Sequence, residues 1–417
     1  VVKNELYECA IEDITSDGDG VAHVGGIAVF IKTAAVGDVC RIKILKVKNG
    51  YAYGKIEDIL TESQARISVD CPCFGRCGAC TFRHISYEEE LRIKRKIVCD
   101  ALSRIGHLDT TVGEIIPSPK LNGYRQKAVL PVDVDGNVGC YARHSHRVVA
   151  CGDCKLYPPD IINAIDDVTA KNDLKNLKAK HVFVRSSAAN GQIFKALVTA
   201  KKPNFPVESI DALNINESRN NVIFGKKWVP ITENQIITER ICRLDFHISP
   251  ASFFQVNPAA AELVYGKAIE YAALDGTQNV LDLYCGVGTI SLIAAGRAKS
   301  VTGIEIVPQA VKMARANAEL NGIANAEFHC TDASKIPDGN YDVVFVDPIR
   351  AGLSADTVVN ILRLNPKKII YVSCKPSTFA RDCANFAKAG YKLREVTPVD
   401  MFPRTAHVEC VGVMTKG

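Results

Sequence analysis

The sequence predicts a multidomain α/β protein from three observations: short strands and turns over residues 1–62, four cysteines within ten residues at 71–80, and regular alternation of strand and helix from residue 246 onward. At 417 residues the chain has room for two or three domains with full cores. Hydrophobic residues at 47% and charged residues at 23% exclude a disordered tail, a collagen and a coiled coil. No apolar run approaches the roughly 18 residues of a membrane span, and the N-terminal segment is acidic where a signal peptide would be basic, so a cytoplasmic protein without a membrane partner is expected.

Residues 1–62 read as LYECAIEDI, VAHVGGIAVFI, CRIKILKV and YAYGKIEDI, with Asp17-Gly18 and Asn49-Gly50 supplying hairpin turns. About five strands in this length suit a small OB-like barrel, a shape that often binds RNA, and Arg41, Lys43, Lys46 and Lys48 give it a basic edge. Residues 63–245 form a central α+β unit with a helical linker. It opens on Cys71-Pro-Cys-Phe-Gly-Arg-Cys-Gly-Ala-Cys80, which in a large chain with no export signal points to metal binding or catalysis. SYEEELRIKRKIVCDALSRIG follows as an amphipathic helix stopped by Gly106, and residues 123–150 return to strand. Trp228, the only tryptophan, is expected in the core.

Charge is uneven. The chain carries a net +5, and residues 91–155 alone hold eleven Lys/Arg against six acids. Arg125, Lys127, Arg143 and Arg147, expected on strands, are the candidate contacts to an anionic partner such as RNA.

Residues 246–417 alternate strand and helix as a doubly wound Rossmann-like domain does, with ligands expected at the C-terminal ends of the strands. In VLDLYCGVGT an apolar strand ends at Asp282-Leu283-Tyr284, Gly286 and Gly288 make a tight turn, and a helix follows. Glu305 ends the next strand, where an acid accepts hydrogen bonds from ribose hydroxyls, and Asp332 follows the third strand, placed to reach adenine. Ser291 stands where a dinucleotide fingerprint wants glycine or alanine, and no Walker lysine is present, so S-adenosylmethionine is favoured over NAD and ATP. Cys374 lies at a strand end before a helix and beside Lys375, features that lower a thiol pKa. Asp347 is held at the preceding strand end by Pro348, Arg350 is placed to meet a phosphate, and Glu409 falls in a strand-like run where a buried charge needs a partner or a task.

These residues resemble the RNA uracil-5-methyltransferases, specifically the ribosomal-RNA branch with an N-terminal TRAM domain and an iron-sulfur cluster. The resemblance spans nearly the whole chain and rests on Cys71-x5-Cys77-x2-Cys80, SFFQVNP at 252–258, DLYCGVGT, VDPIRAG, SCKPSTFARD and HVE at 407–409. It implies a class I S-adenosylmethionine-dependent methyltransferase domain at 246–417 and a TRAM barrel at 1–62. The central unit would hold a [4Fe-4S] cluster on Cys71, Cys77, Cys80 and Cys154, with Cys73 as a spare. It also implies a nucleophile at Cys374 and a base at Glu409. Gln255, Tyr284, Thr289, Glu305, Asp332 and Asp347 would contact cofactor or target base. The implied partner is RNA, 23S rRNA first, with the protein acting as a monomer. The chain departs from the family at Ile349, where proline is common, and at Lys375, where asparagine is frequent. Rival readings are a transfer-RNA uracil-5-methyltransferase, a radical S-adenosylmethionine enzyme built on Cys73-x3-Cys77-x2-Cys80, a zinc ribbon in the cysteine cluster, and a non-catalytic RNA-binding assembly factor.

Overall fold

The computed structural model describes residues 1–218, 220–250 and 252–417. The N-terminal barrel is built from β1 (Leu6–Ala10), β2 (Asp13–Ile14), β3 (Gly20–Val24), β4 (Ile27–Ile31), β5 (Val39–Lys48) and β6 (Tyr51–Thr61), in the order β1-β5-β6-β4-β3-β2. It has one strand more than expected, the two-residue β2. Alternation along β4, β5 and β6 sends Val29, Ile31, Cys40, Ile42 and Ala52 into the core. Asn49-Gly50 closes the long β5–β6 hairpin, Gly50 taking the left-handed φ of 85° that such a turn demands.

The amphipathic helix is α1 (Tyr87–Ala101), which ends in a π-helical turn over Leu102–Gly106. Its N-cap is Ser86, whose Oγ accepts from the Glu89 amide at 3.3 Å. Its buried face, with Val98, Ala101 and Leu102, packs on the C-terminal sheet. Lys94 is fully buried and donates to Glu90 at 2.7 Å and Asp400 at 2.6 Å, joining the helix to the C-terminal domain. The next strand, β7 (Thr111–Val112), pairs in parallel with the edge of that sheet. Residues 87–112 therefore lie on the C-terminal domain, whereas the expected boundary placed them in the central unit.

The central sheet has the order β14-β13-β12-β11-β8 and comprises β8 (Lys127–Pro131), β11 (Ala179–Ser186), β12 (Ile193–Thr199), β13 (Ala212–Ile215) and β14 (Lys227–Pro230). A hairpin of β9 (Gly139–Tyr141) and β10 (Val148–Ala150) stands beside it, and α2 (Pro159–Lys171) covers one face with Ile161, Ile165 and Val168. On the other face Trp228, half-buried, packs against Phe183, Phe194 and Phe224 at the edge of the core rather than inside it. Of the four candidate RNA-binding cations only Lys127 lies on a strand. Arg125 precedes β8, and Arg143 and Arg147 occupy the turn between β9 and β10, which the Ser145 amide closes on the Ala142 carbonyl at 3.0 Å.

A hairpin of β15 (Ile237–Ile241) and β16 (Leu244–Ile248) leads into the last domain, followed by α3 (Pro258–Ala272), β17 (Asn279–Leu283), α4 (Thr289–Ala295), β18 (Ser300–Glu305), α5 (Pro308–Leu320), β19 (Ala326–Cys330), β20 (Val343–Val346), α6 (Ala355–Leu364), β21 (Lys368–Ser373), α7 (Pro376–Lys388), β22 (Tyr391–Val399) and β23 (Glu409–Lys416). The eight-stranded sheet runs β19-β18-β17-β20-β21-β23-β22-β7, with β23 inserted antiparallel between β21 and β22. Separate apolar cores on its two faces confirm the doubly wound layering. Among the described residues no helix is long and apolar enough to cross a membrane.

Candidate active site

The loop after β17 is shaped by backbone that most side chains avoid: Tyr284, Gly286 and Gly288 have φ of 65°, 57° and 88°. A Cβ on Gly286 would meet nothing within 4 Å, whereas one on Gly288 would press Phe328 at 3.1 Å, so the first glycine faces open space and the second seats the loop on the core. Glu305 at the end of β18 accepts from the Gly286 amide at 3.2 Å and the Val307 amide at 2.8 Å. Beside it Ile306 is 58% exposed. Asp282 is buried; its Oδ2 accepts from Ser291 at 2.5 Å, while Oδ1 has no partner, and burial pushes the carboxyl up to about 7. An orphaned carboxylate oxygen below an open glycine turn fits a cationic ligand group. Thr289 begins α4 and is buried, Tyr284 is half-buried with its hydroxyl 3.5 Å from Thr357, and Asp332 is exposed beyond β19, accepting from the Ser334 amide at 2.8 Å.

The second half of the site is an outcome of strand register. Ser373 of β21 pairs with Cys410 of β23, so Cys374 and Glu409, one residue further along, face each other across adjacent antiparallel strands. Asp347 directly follows β20, the next strand over, bringing the third side chain to the same edge. Burial, then the neighbouring Asp347 charge, pushes Glu409 up to about 8, and burial pushes Asp347 up to about 7. The expectation of a lowered thiol pKa is corrected: burial and then Glu409 push Cys374 up. The Lys375 amide is taken up by Ser373 Oγ at 3.2 Å, and the cation whose charge counters the rise is Arg350. The other side of Arg350 lies 3.3 Å from His407 Nε2. Gln255 comes from the SFFQVNP loop, whose Asn257 accepts from the Ala260 amide at 3.3 Å to cap α3 and donates to the Met401 carbonyl at 2.9 Å. Tyr265, buried on α3, lies beside Gln255, and burial, then the charges of Asp347 and Glu409, push its hydroxyl well up. Nothing local to Tyr265 announced that role; only its helical register toward the loop could have.

Lys127 has a feature that pattern reading missed. It pairs directly across β8–β11 with Arg185, a buried guanidinium that donates to the Ser252 carbonyl at 3.3 Å, next to the SFFQVNP loop. Burial and the charges of Arg185 and Arg125 push Lys127 down to about 7. Like charges opposed across a ladder destabilise the sheet, and an anion between them removes the conflict. Arg143 is not free: it donates to Asp19 at 2.8 Å and to the Asp17 carbonyl at 2.6 Å, fastening the β9–β10 turn to the barrel. Arg147 projects from the same turn into a groove beside the barrel.

The expected cluster ligands converge, but with company. Cys80 lies within electrostatic reach of Cys77 and Cys154, and Cys154 within reach of Cys71. Cys140 lies beside Cys77 and Cys151 beside Cys73, neither neighbour being visible from spacing. Among the described residues no group of three or more His, Cys, Asp or Glu side chains is arranged to hold a metal ion. The donor chemistry nonetheless fits an iron-sulfur group: all-thiol ligands, with N–H donors from Ala79 to Cys77 and from Arg83 to Cys80, both at 3.4 Å.

Residues 3–56 match the TRAM domain family and residues 274–401 a family described as a methyltransferase domain. An uncharacterised RNA methyltransferase of Bacillus cereus is 37% identical, covering 100% of this chain and 98% of its own. The chain belongs to the RNA methyltransferase family. A counterpart from Clostridium tetani, also named as an uncharacterised RNA methyltransferase, is 36% identical over 100% of this chain and 97% of its own. The crystal structure of Pyrococcus abyssi tRNA (uracil-54, C5)-methyltransferase in complex with S-adenosyl-L-homocysteine superposes with a TM-score of 0.78 at 27% identity, covering 98% of this chain and 100% of that one. The kinship read from the motifs is thus borne out, and this RNA methyltransferase carries the barrel and the doubly wound domain that the kinship implied.

Proposed function

We propose that this methyltransferase, acting as a monomer, methylates C5 of a uridine in 23S rRNA through a covalent adduct between Cys374 and C6 of the base. The observation that carries this reading is the cross-strand opposition of Cys374 and Glu409, a nucleophile and a base held to one edge by backbone pairing. S-adenosylmethionine, when bound at the glycine turn, supplies an electrophilic methyl group. Glu305 would hold its ribose hydroxyls, the free Asp282 oxygen its ammonium, and Ile306 and Asp332 its adenine, with Tyr284 and Thr289 lining the turn. Arg350 stabilises the Cys374 thiolate, which adds to C6 and makes C5 nucleophilic. After methyl transfer Glu409 takes the C5 proton and Cys374 leaves C6. Asp347 and Gln255 orient the polar edge of the base, Tyr265 fixing Gln255. Arg125 and Lys127, both half-buried around the start of β8, bind backbone phosphates of the segment that delivers the uridine.

A transfer-RNA target is the second reading, favoured by the tRNA enzyme of Pyrococcus abyssi. Mapping 5-methyluridine in cells lacking the protein decides between them: one 23S uridine should lose its methyl group, and loss from tRNA alone would overturn the ribosomal assignment.

We further propose a structural [4Fe-4S] cluster on Cys71, Cys77, Cys80 and Cys154, supported by the convergence of those thiols. Cys154→Ser should lower iron content and the brown absorption of the purified protein, while Cys151→Ser keeps both. The reverse outcome would move the fourth ligand to Cys151.

A further inference from the structure

The outer face of the N-terminal barrel carries an aromatic patch that the methyl-transfer site does not use. Phe30 of β4 pairs with Tyr53 of β6, and Ala28 with Tyr51. Because side chains alternate, Phe30, Tyr51 and Tyr53 all point away from the core that Val29, Ile31 and Ala52 fill. The three rings form a triangle, with centroids 5.7 Å apart for Phe30–Tyr51, 6.0 Å for Phe30–Tyr53 and 5.7 Å for Tyr51–Tyr53. Tyr53 is 39% exposed, and Phe30 and Tyr51 are half-buried beside it.

The surroundings select the occupant. Across β5–β6, Tyr53 stands opposite Lys46 and Tyr51 opposite Lys48, and Lys43 and Lys55 continue the basic border as a further cross-strand pair. Two residues beyond Phe30, Lys32 opens a groove of about 270 Å³ between the barrel and the cysteine segment, lined also by Arg76 and Arg147. Asp19 anchors Arg143 of the groove wall to the barrel. Aromatic faces bordered by lysines and leading into a cationic groove complement unstacked bases on a phosphate backbone. Duplex RNA hides its base faces, and an apolar protein surface gains nothing from the lysine border.

We propose that Phe30, Tyr51 and Tyr53 form a stacking platform for unpaired bases of single-stranded RNA, whose backbone continues into the groove of Lys32, Arg76 and Arg147. The proposal rests on the chain acting on RNA and adds the strand state and the barrel residues that read it.

The test uses the full chain and two probes, a fluorescein-labelled oligouridine and a labelled RNA duplex of equal length, with affinities measured by anisotropy over a salt series. Phe30→Ala/Tyr53→Ala should weaken oligouridine binding about tenfold or more, with duplex binding and the salt slope unchanged. Phe30→Leu/Tyr53→Leu, which keeps apolar bulk and guards against a folding defect, should weaken it as much, and Tyr53→Trp should not. Lys32→Ala/Arg147→Ala should instead flatten the salt slope. Unchanged affinity in the alanine variant, wild-type affinity in the leucine variant, equal loss on the duplex, or sedimentation showing that the patch pairs two copies of the chain would each overturn the platform. All measurements are repeated with Cys374→Ala and no methyl donor, so a failure of the C5 chemistry leaves this result intact, and the reverse.

Discussion

Cys374→Ala is expected to abolish methylation and to leave no covalent RNA complex with a substrate containing 5-fluorouridine. The unaltered enzyme should form that complex, because fluorine at C5 blocks loss of a cation and halts the reaction after methyl transfer, with the base still on sulfur. Uracil C5 becomes nucleophilic only when C6 carries an added group, and the neighbouring thiol, Cys410, is fully buried and does not replace Cys374. Covalent catalysis of this kind lowers a barrier by several kcal/mol, a thousand-fold or more in rate, so residual turnover would not blur the result. Binding of RNA should persist, since the phosphate contacts proposed for Arg125 and Lys127 are untouched. Methylation at the normal rate by Cys374→Ala would remove the covalent mechanism and leave direct transfer as the alternative.

How far this site was legible in the sequence depends on whether each feature is local. Asp282, Gly286, Glu305, Asp347 and Cys374 each end a strand within a short block, and in a parallel sheet every strand end of that kind reaches the same edge. Their convergence could therefore be read without knowing strand order. Glu409 was recognised from its motif, but its position opposite Cys374 depends on β23 entering antiparallel between β21 and β22, a pairing between distant segments that no local pattern encodes. The same holds for β7 joining β22, for Arg185 opposing Lys127 and for Cys140 reaching Cys77. The thiol pKa was misjudged for a related reason. Lys375 and a helix start are visible in sequence, whereas desolvation and the facing Glu409, which push the pKa the other way, are tertiary.

Glu409→Gln separates the later step from the earlier one, and its expected result is an accumulated adduct rather than an empty reaction. Addition of Cys374 and transfer of the methyl group need no proton acceptor at C5, so both should proceed. Deprotonation of C5 then stalls, and a methylated protein–RNA complex should survive denaturing electrophoresis on ordinary uridine substrate, with turnover down on the order of a thousand-fold. The pH dependence of the unaltered enzyme should carry the same signature. Glu409 sits at about 8 in the resting enzyme, well above a solvated glutamate, so at neutral pH most molecules hold it protonated. Activity should rise as pH climbs through that value and the base ionises, and a rise in Cys374 thiolate over the same direction steepens it. The positive charge of a bound S-adenosylmethionine would favour the charged forms of nearby carboxyls, so the rise measured as kcat should fall at lower pH than that measured as kcat/KM. Rapid turnover of Glu409→Gln without adduct would transfer the base role to Asp347. That residue is on the neighbouring strand, its carboxyl is raised to about 7, and Asp347→Asn would then become the variant that traps the complex.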